Sequence, residues 1–88
     1  MKLIIAIVKD TDSDAVSHAL TTGDFRVTQV ASTGGFLRHG QSTLLIGVDD
    51  DQVENALTVI RSKVTKPTEA DTRQSFIFVI KVDEYIHF

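Results

Sequence analysis

The segment at residues 31–47 (ASTGGFLRHGQSTLLIG) and the strand before it hold the most distinctive group of side chains. The Gly-Gly pair that ends at Gly35 permits backbone conformations in which successive N–H groups form a nest for an anion. Phe36 and Leu37 offer apolar surfaces on which a base stacks or packs. Arg26 adds a planar guanidinium that suits phosphate. These residue types together indicate a nucleotide-like ligand.

Polar groups around this segment are able to read a base or ribose. The hydroxyl of Thr28 and the amide of Gln41 donate and accept hydrogen bonds, and Gly47 allows a close approach to the backbone. Glycine pairs most often only turn a chain, however. Composition alone therefore leaves open a long hairpin loop with a solvated basic tip and Phe36 packed into the core.

Other chemistries find little support in the sequence. The histidines His18, His39 and His87 lack the spacing of metal ligands, and helix capping explains Asp49–Asp51 better than a cation site does. No serine, cysteine or pair of carboxylates lies in a pattern that activates a nucleophile or an acid–base pair. The sequence predicts no metal, no cofactor and no enzymatic activity.

The composition indicates a small soluble protein. Its 88 residues suffice for one domain, which we predict to span residues 1–88, and 42% of them are hydrophobic. The net charge of −3 argues against a protein that binds nucleic-acid polymers through a general basic field. No segment is apolar over a membrane-spanning length, and there is no cysteine. We expect a cytoplasmic protein without membrane insertion.

Four segments have the pattern of strands. Lys2–Val8 and Ser42–Val48 are continuous apolar runs, typical of strands buried on both faces. Asp24–Thr33 alternates, with Arg26 and Thr28 on its polar face, and a change in its alternation at Gln29–Val30 predicts a bulge. Ser75–Val82 is the last strand.

Two helices separate these strands. In residues 9–23, Thr11 or Ser13 is expected to cap the helix and Gly23 to end it in the left-handed conformation. The expected inward stripe of this helix is Ala15, Val16, Ala19 and Leu20. In residues 49–63 an aspartate caps, and the apolar positions of helical spacing are Val53, Ala56, Leu57 and Ile60.

The order β-α-β-β-α-β predicts an α+β, ferredoxin-like fold with a four-stranded antiparallel sheet. This topology places the first and third strands in the middle of the sheet, which agrees with their continuous apolar character. In the first strand Ile4, Ala6 and Val8 alternate with Leu3, Ile5 and Ile7, and both rows are apolar. Two helices cover only one face of the sheet, so in a monomer one of these rows is left as an exposed apolar patch. We therefore expect a homo-oligomer that buries this face.

Residues 25–48 have the sequence FRVTQVASTGGFLRHGQSTLLIGV. This segment closely resembles the characteristic segment of one family of PII-like signalling proteins, the cyclic-di-AMP receptors of Gram-positive bacteria. The opening residues 1–28 fit the same family, and the second helix and last strand fit it more loosely. The resemblance implies a homotrimer with three sites at the subunit interfaces. There a cyclic dinucleotide is bound without turnover, and loop changes signal to an unknown downstream protein.

The resemblance also implies which residues of this sequence contact the ligand, since they match the ligand-binding positions of the family. The matching positions are Arg26, Thr28, Gly35, Phe36, Leu37, Gln41 and Gly47. Arg26 would meet phosphate, Thr28 and Gln41 would hydrogen-bond around a base or ribose, and the loop's Phe36 and Leu37 would enclose a base.

Two departures from the family pattern leave an alternative ligand open. The family usually has asparagine where this chain has Gln41, and it usually has a longer, glycine-containing segment in place of Val64–Gln74. Because that segment helps to enclose the ligand, the alternative is a PII-like trimer that binds ATP, ADP or no ligand.

A third hypothesis is an acylphosphatase-like hydrolase on a ferredoxin-like fold. It has little support, because it needs an arginine–asparagine pair near the first loop and the only asparagine is Asn55. For Tyr85 and Phe88, near the end of the sequence, ordinary core packing is the expectation, with contact to the site or to a subunit seam as the alternative.

Overall fold

The computed structural model describes residues 1–30, 40–70, 72 and 74–86. The elements are β1 (Lys2–Lys9), α1 (Asp10–Thr22), β2 (Arg26–Val30), β3 (Gln41–Val48), a short 3₁₀ helix (Asp50–Gln52), α2 (Val53–Lys63) and β4 (Phe76–Lys81). This order confirms the predicted βαββαβ layout. None of the helices formed by the described residues is long and apolar enough to cross a membrane.

The four strands form one antiparallel sheet in the order β2-β3-β1-β4. The two continuous apolar segments, β1 and β3, are thus the central strands, as predicted. A central strand has sheet neighbours on both sides and side chains packed on both faces, which is why its sequence lacks the alternation of a half-exposed strand. β2 and β4 are the edge strands.

The hydrophobic core lies between the helices and one face of the sheet. Strand residues of this core are Ile4, Ala6, Val8, Leu44, Ile46 and Val48, and the helices contribute Val16, Leu20, Ala56, Leu57 and Ile60. Each fully buried aliphatic side chain of this kind contributes about 1.5–3 kcal/mol to the free energy of unfolding. The predicted core positions of α2 are confirmed, with Val53 half-buried against the core.

The start of α1 differs from the sequence-based expectation. The helix begins at Asp10 directly after β1, so Lys9 occupies the N-cap position and no side chain caps the helix. Thr11 and Ser13 lie inside the first turn, and the Ser13 hydroxyl donates to the Asp10 carbonyl oxygen. The N-cap position thus falls on the last residue of β1, and the side chain of lysine has no oxygen that could accept from the N–H groups of the first turn.

The remainder of α1 brings two further corrections. The helix does end at Gly23, but the left-handed residue is Asp24, with φ of 68°. Aspartate tolerates this conformation better than most residues because its short side chain bonds locally. Val16 and Leu20 are buried as expected, whereas Ala15 is exposed, so the inward stripe is narrower than predicted.

The predicted bulge in β2 is also wrong. Register runs without interruption from Arg26 opposite Gly47 to Val30 opposite Thr43. The apparent change in alternation is compatible with a regular edge strand, because the side chains of Gln29 and Val30 are both exposed.

The aspartates before α2 act differently from the predicted cap. No side chain caps the 3₁₀ helix that begins at Asp50. Instead the Asp50 carboxylate forms an ion pair with the amino group of Met1 at 3.0 Å. A hydrogen bond from this ammonium group and its positive charge lower the pKa of the exposed Asp50.

A network of hydrogen bonds holds the connection between α2 and β4 to the start of α1. One carboxylate oxygen of Asp12, a buried residue, accepts hydrogen bonds from the backbone N–H and the hydroxyl of Thr65, both at 3.0 Å. The ammonium group of Lys9, also buried, donates to the Thr65 hydroxyl oxygen at 3.1 Å. The buried charges are therefore paired with polar partners, as burial requires.

We expect Asp12→Ala to lower the free energy of unfolding by about 1–3 kcal/mol, because it leaves the two Thr65 donors without their acceptor. The matched control is Asp14→Ala in the same turn, whose side chain is exposed and whose loss should change stability by less than about 0.5 kcal/mol. Urea denaturation followed by circular dichroism measures both. Equal effects of the two substitutions would contradict this role of Asp12.

Candidate ligand site

The sheet face opposite the helices, here called the open face, has a polar corner and an apolar remainder. The register aligns Arg26 (β2), Gly47 (β3), Leu3 (β1) and Ile80 (β4) in one row across this face. The next row begins with Thr28, beside Leu45. Because side chains alternate along a strand, Arg26 and Thr28 project on the same side as Gly47. Three predicted site residues thus share one corner.

A cavity of about 640 Å³ lies at this corner. Its lining residues are Met1, Lys2, Leu3, Arg26, Thr28, Leu45, Gly47, Val82 and Tyr85. Such a volume is in the range of pockets that hold small-molecule ligands. Leu3 and Leu45 supply apolar surface, while Arg26 and Thr28 supply donors, so the cavity combines the groups that a nucleotide requires.

Gly47 gives the cavity its depth. A side chain at this strand position would project toward the open face, and a Cβ built there meets only the Met1 methyl carbon, at 4.0 Å. The neighbouring protein therefore does not require glycine here. The absence of a side chain instead keeps space free beside Arg26.

The charge around the cavity favours an anion. Lys2 and Arg26 are both among its lining residues, and none of the described residues that line it is acidic. Arg26 also borders a second cavity of about 480 Å³, whose lining includes Asp24 and Asp49. Asp24 and Asp49 line the second cavity and not the first. Lys2 lies opposite Val48, on the helix side of β1, and its charge acts on Asp50, so Arg26 is the cation that faces the first cavity from the open face.

Gln41 lies apart from this corner. It is the first residue of β3, six positions before Gly47, which corresponds to about 20 Å along a strand. Its side chain is buried, and its amide nitrogen donates to the Gln74 carbonyl oxygen at 2.8 Å. Within one chain, therefore, Gln41 and Arg26 do not converge on the same cavity.

Gly35, Phe36 and Leu37, the predicted loop contacts, lie outside the described residues, as does His39. His18 is exposed on α1. Among the described residues no group of histidine and carboxylate side chains is arranged to hold a metal ion.

The cavity residues that the sequence does not identify as ligand contacts include Leu45 and Tyr85. Leu45 was treated only as part of an apolar strand, although its position opposite Thr28 follows from the register. For Tyr85 the sequence favours core packing, with contact to the site as the alternative. Its side chain is 65% exposed and it lines the cavity, which agrees with the alternative. No local pattern predicts this, since Tyr85 follows the last strand and reaches the cavity only through the fold.

The rest of the open face is apolar. Ile5 and Ile7 of β1 lie beside Phe78 and Phe76 of β4 in the register, and both phenylalanines are exposed, Phe78 to 52%. Ile80 continues the patch to the row of Arg26. Contiguous apolar surface of this kind marks an interaction site, and it agrees with the uncovered face that the sequence predicts.

Comparison with known proteins gives two findings. A family model described as "Cyclic-di-AMP receptor" matches residues 1–86. Among solved structures, the chain is similar to a functionally unknown protein from Pediococcus pentosaceus ATCC 25745, with a TM-score of 0.78 and 29% sequence identity. The match covers 99% of this chain and 96% of the other, so the two chains are of nearly equal length.

Because its Cβ has space, we expect Gly47→Ala to leave the free energy of unfolding unchanged or to raise it by about 0.4–1 kcal/mol through a less flexible unfolded chain. Gly40, with φ of 85°, is the control: Gly40→Ala should lower stability by about 1 kcal/mol or more, because alanine disfavours positive φ. Urea denaturation compares the two variants. A loss of stability in Gly47→Ala as large as in Gly40→Ala would show that Gly47 is required by the fold.

Proposed function

The chain belongs to the cyclic-di-AMP receptor family, and on this premise we propose that it is a non-catalytic sensor that binds cyclic-di-AMP at the interfaces of a homotrimer. The observation that carries the proposal is the cavity at the corner of the open face, where Arg26, Thr28 and Gly47 meet. Its positive lining without a carboxylate among the described residues suits a phosphodiester.

In the proposed complex Arg26 pairs with a phosphate of the ligand. A guanidinium forms two parallel hydrogen bonds to phosphate oxygens, and a partly enclosed site strengthens them. The Thr28 hydroxyl, two residues further along the same face, bonds to ribose or base. Gly47, opposite Arg26 in the register, leaves space for the ligand against the backbone.

The loop residues Gly35, Phe36 and Leu37 complete the proposed site, with the two apolar side chains enclosing a base. Gln41 belongs to the proposal through this loop, because it is the first strand residue after it. The Gln74 carbonyl accepts from the Gln41 amide nitrogen, so this buried side chain ties the start of β3 to the connection that precedes β4. A contact of its amide oxygen with the ligand would belong to the loop end of the proposed site, apart from the cavity at Arg26.

The homotrimer is supported by the open face. The exposed phenylalanines of β4 and the half-buried isoleucines of β1 form an apolar surface that no helix among the described residues covers. Its burial between subunits stabilises the assembly by about 25 cal/mol for each Å² of apolar surface removed from water. The cavity lies at the margin of this surface, so subunit association would close it.

Two further parts of the proposed function are the place where the protein acts and the way in which it signals. We infer that residues 1–88 act as one domain in the cytoplasm, and that ligand binding changes the loop at residues 31–39 for recognition by a downstream protein. Catalysis has no part in this function, because a receptor needs to bind and release its ligand unchanged.

Isothermal titration with cyclic-di-AMP should give saturable heat near one ligand per subunit. Arg26→Ala should weaken this binding by about 1.5–3 kcal/mol, the value of a hydrogen bond to a charged group. The matched control is Arg61→Ala, an exposed arginine in the last turn of α2, on the helix side of the sheet; it should bind like the wild type.

Absence of heat over a wide concentration range would overturn the proposed function. Heat with ATP or ADP and none with cyclic-di-AMP would instead support the alternative ligand. Equal affinities of the two arginine variants would contradict the placement of the phosphate at Arg26.

If the open face is the subunit contact, substitutions of two adjacent residues of β4 should affect assembly differently, because their side chains project to opposite faces of the sheet. Phe78→Asp should convert the trimer into monomers, because it places a charge in the apolar subunit contact. Val79, 44% exposed, projects to the helix side, so Val79→Asp should leave the trimer assembled. Sedimentation velocity gives the mass of each variant, and a trimeric Phe78→Asp would contradict the use of this face.

A further inference from the structure

Tyr85 lies three residues after a point at which the backbone is held to the start of the chain. The segment after β4 is held to the start of the chain by a hydrogen bond from the Val82 N–H to the Met1 carbonyl oxygen at 3.1 Å. Val82 and Tyr85 both line the cavity that contains Arg26 and Thr28. Because Tyr85 follows the anchored Val82 by only three residues, its ring stays close to the site.

The environment of Tyr85 suits contact with a flat ligand. Its side chain is 65% exposed, so most of its surface faces solvent. It is the only aromatic side chain among the described residues that line this cavity. Tyrosine presents an apolar face on which any base stacks, together with a hydroxyl that remains hydrated at the rim.

Tyr85 and Arg26 approach the cavity from opposite edges of the sheet, since β2 and β4 are the two edge strands. A ligand whose phosphate is held at Arg26 and whose nucleoside extends over Gly47 and Leu3 would reach the segment after β4. An aromatic ring on that side would then meet the base, while the guanidinium meets the charge.

We propose that the Tyr85 ring stacks on one base of the bound cyclic dinucleotide and so completes the site on the side opposite Arg26. This inference rests on the proposed function. It assigns the recognition of a base to the segment after β4, in addition to the loop that contains Phe36.

The composition of the chain makes the proposal directly measurable. Tyr85 is the only tyrosine and there is no tryptophan, so intrinsic fluorescence excited near the tyrosine band reports on this residue alone. Cyclic-di-AMP should quench it saturably, at the concentrations at which calorimetry shows binding, because a stacked base quenches a tyrosine ring.

Three variants separate stacking from other roles. Tyr85→Ala should weaken binding about tenfold or more, and Tyr85→Phe, which keeps the ring, by less than about threefold. The matched control is Ile86→Ala: the adjacent side chain is 62% exposed and does not line the cavity, so affinity should stay within about twofold. Sedimentation velocity should give the same mass for all three.

Calorimetric binding without a change in fluorescence, and with Tyr85→Ala as tight as the wild type, would overturn the assignment of Tyr85 and leave the proposed function standing. Loss of assembly in Tyr85→Ala would also overturn it, because the ring would then act in the subunit contact. Absence of calorimetric binding by the wild type would overturn the proposed function, and this inference with it.

Discussion

The fold depends on one constraint: a sheet with two apolar faces is covered by helices on one face only. Ile4, Ala6 and Val8 pack under the helices, while Leu3, Ile5 and Ile7 of the same strand project to the open face. Apolar surface of this extent stays in contact with water only at a cost in free energy that grows with its area. In the proposed trimer, subunit association removes this cost. The cavity lies at the edge of the same open face.

In the proposed function, subunit assembly and ligand binding therefore use the same face of the sheet. The apolar part, centred on Phe78, serves subunit contact, and the polar corner at Arg26 and Thr28 serves the ligand. The two parts are continuous, since Ile80 lies in the same row as Arg26. A ligand bound at the corner would touch groups next to the subunit contact, which gives a physical basis for a signal that passes from the site to the trimer.

Local sequence patterns predicted the presence and order of the helices and strands better than they predicted where these elements begin and end. Helix α1 begins without a capping side chain because its N-cap residue is Lys9, which has no acceptor atom. At its other end Asp24 rather than Gly23 adopts positive φ. The polar contacts that fasten the connection before β4 involve partners far apart in sequence, as in the bonds from Thr65 to Asp12 and from Gln41 to Gln74. Such bonds leave no periodic pattern, so sequence reasoning did not find them.

The amino-acid sequence was sufficient to predict the βαββαβ order, the central position of the two apolar strands, the uncovered face and the sharing of that face by Arg26 and Thr28. These properties follow from the two-residue period of a strand and the 3.6-residue period of a helix, which are local. The folded chain was needed to show that Gly47 lies opposite Arg26, that Gln41 lies at the other end of β3, and that Tyr85 reaches the cavity. Each of these depends on strand register or on the path of the chain after β4, and both are set by packing between distant segments.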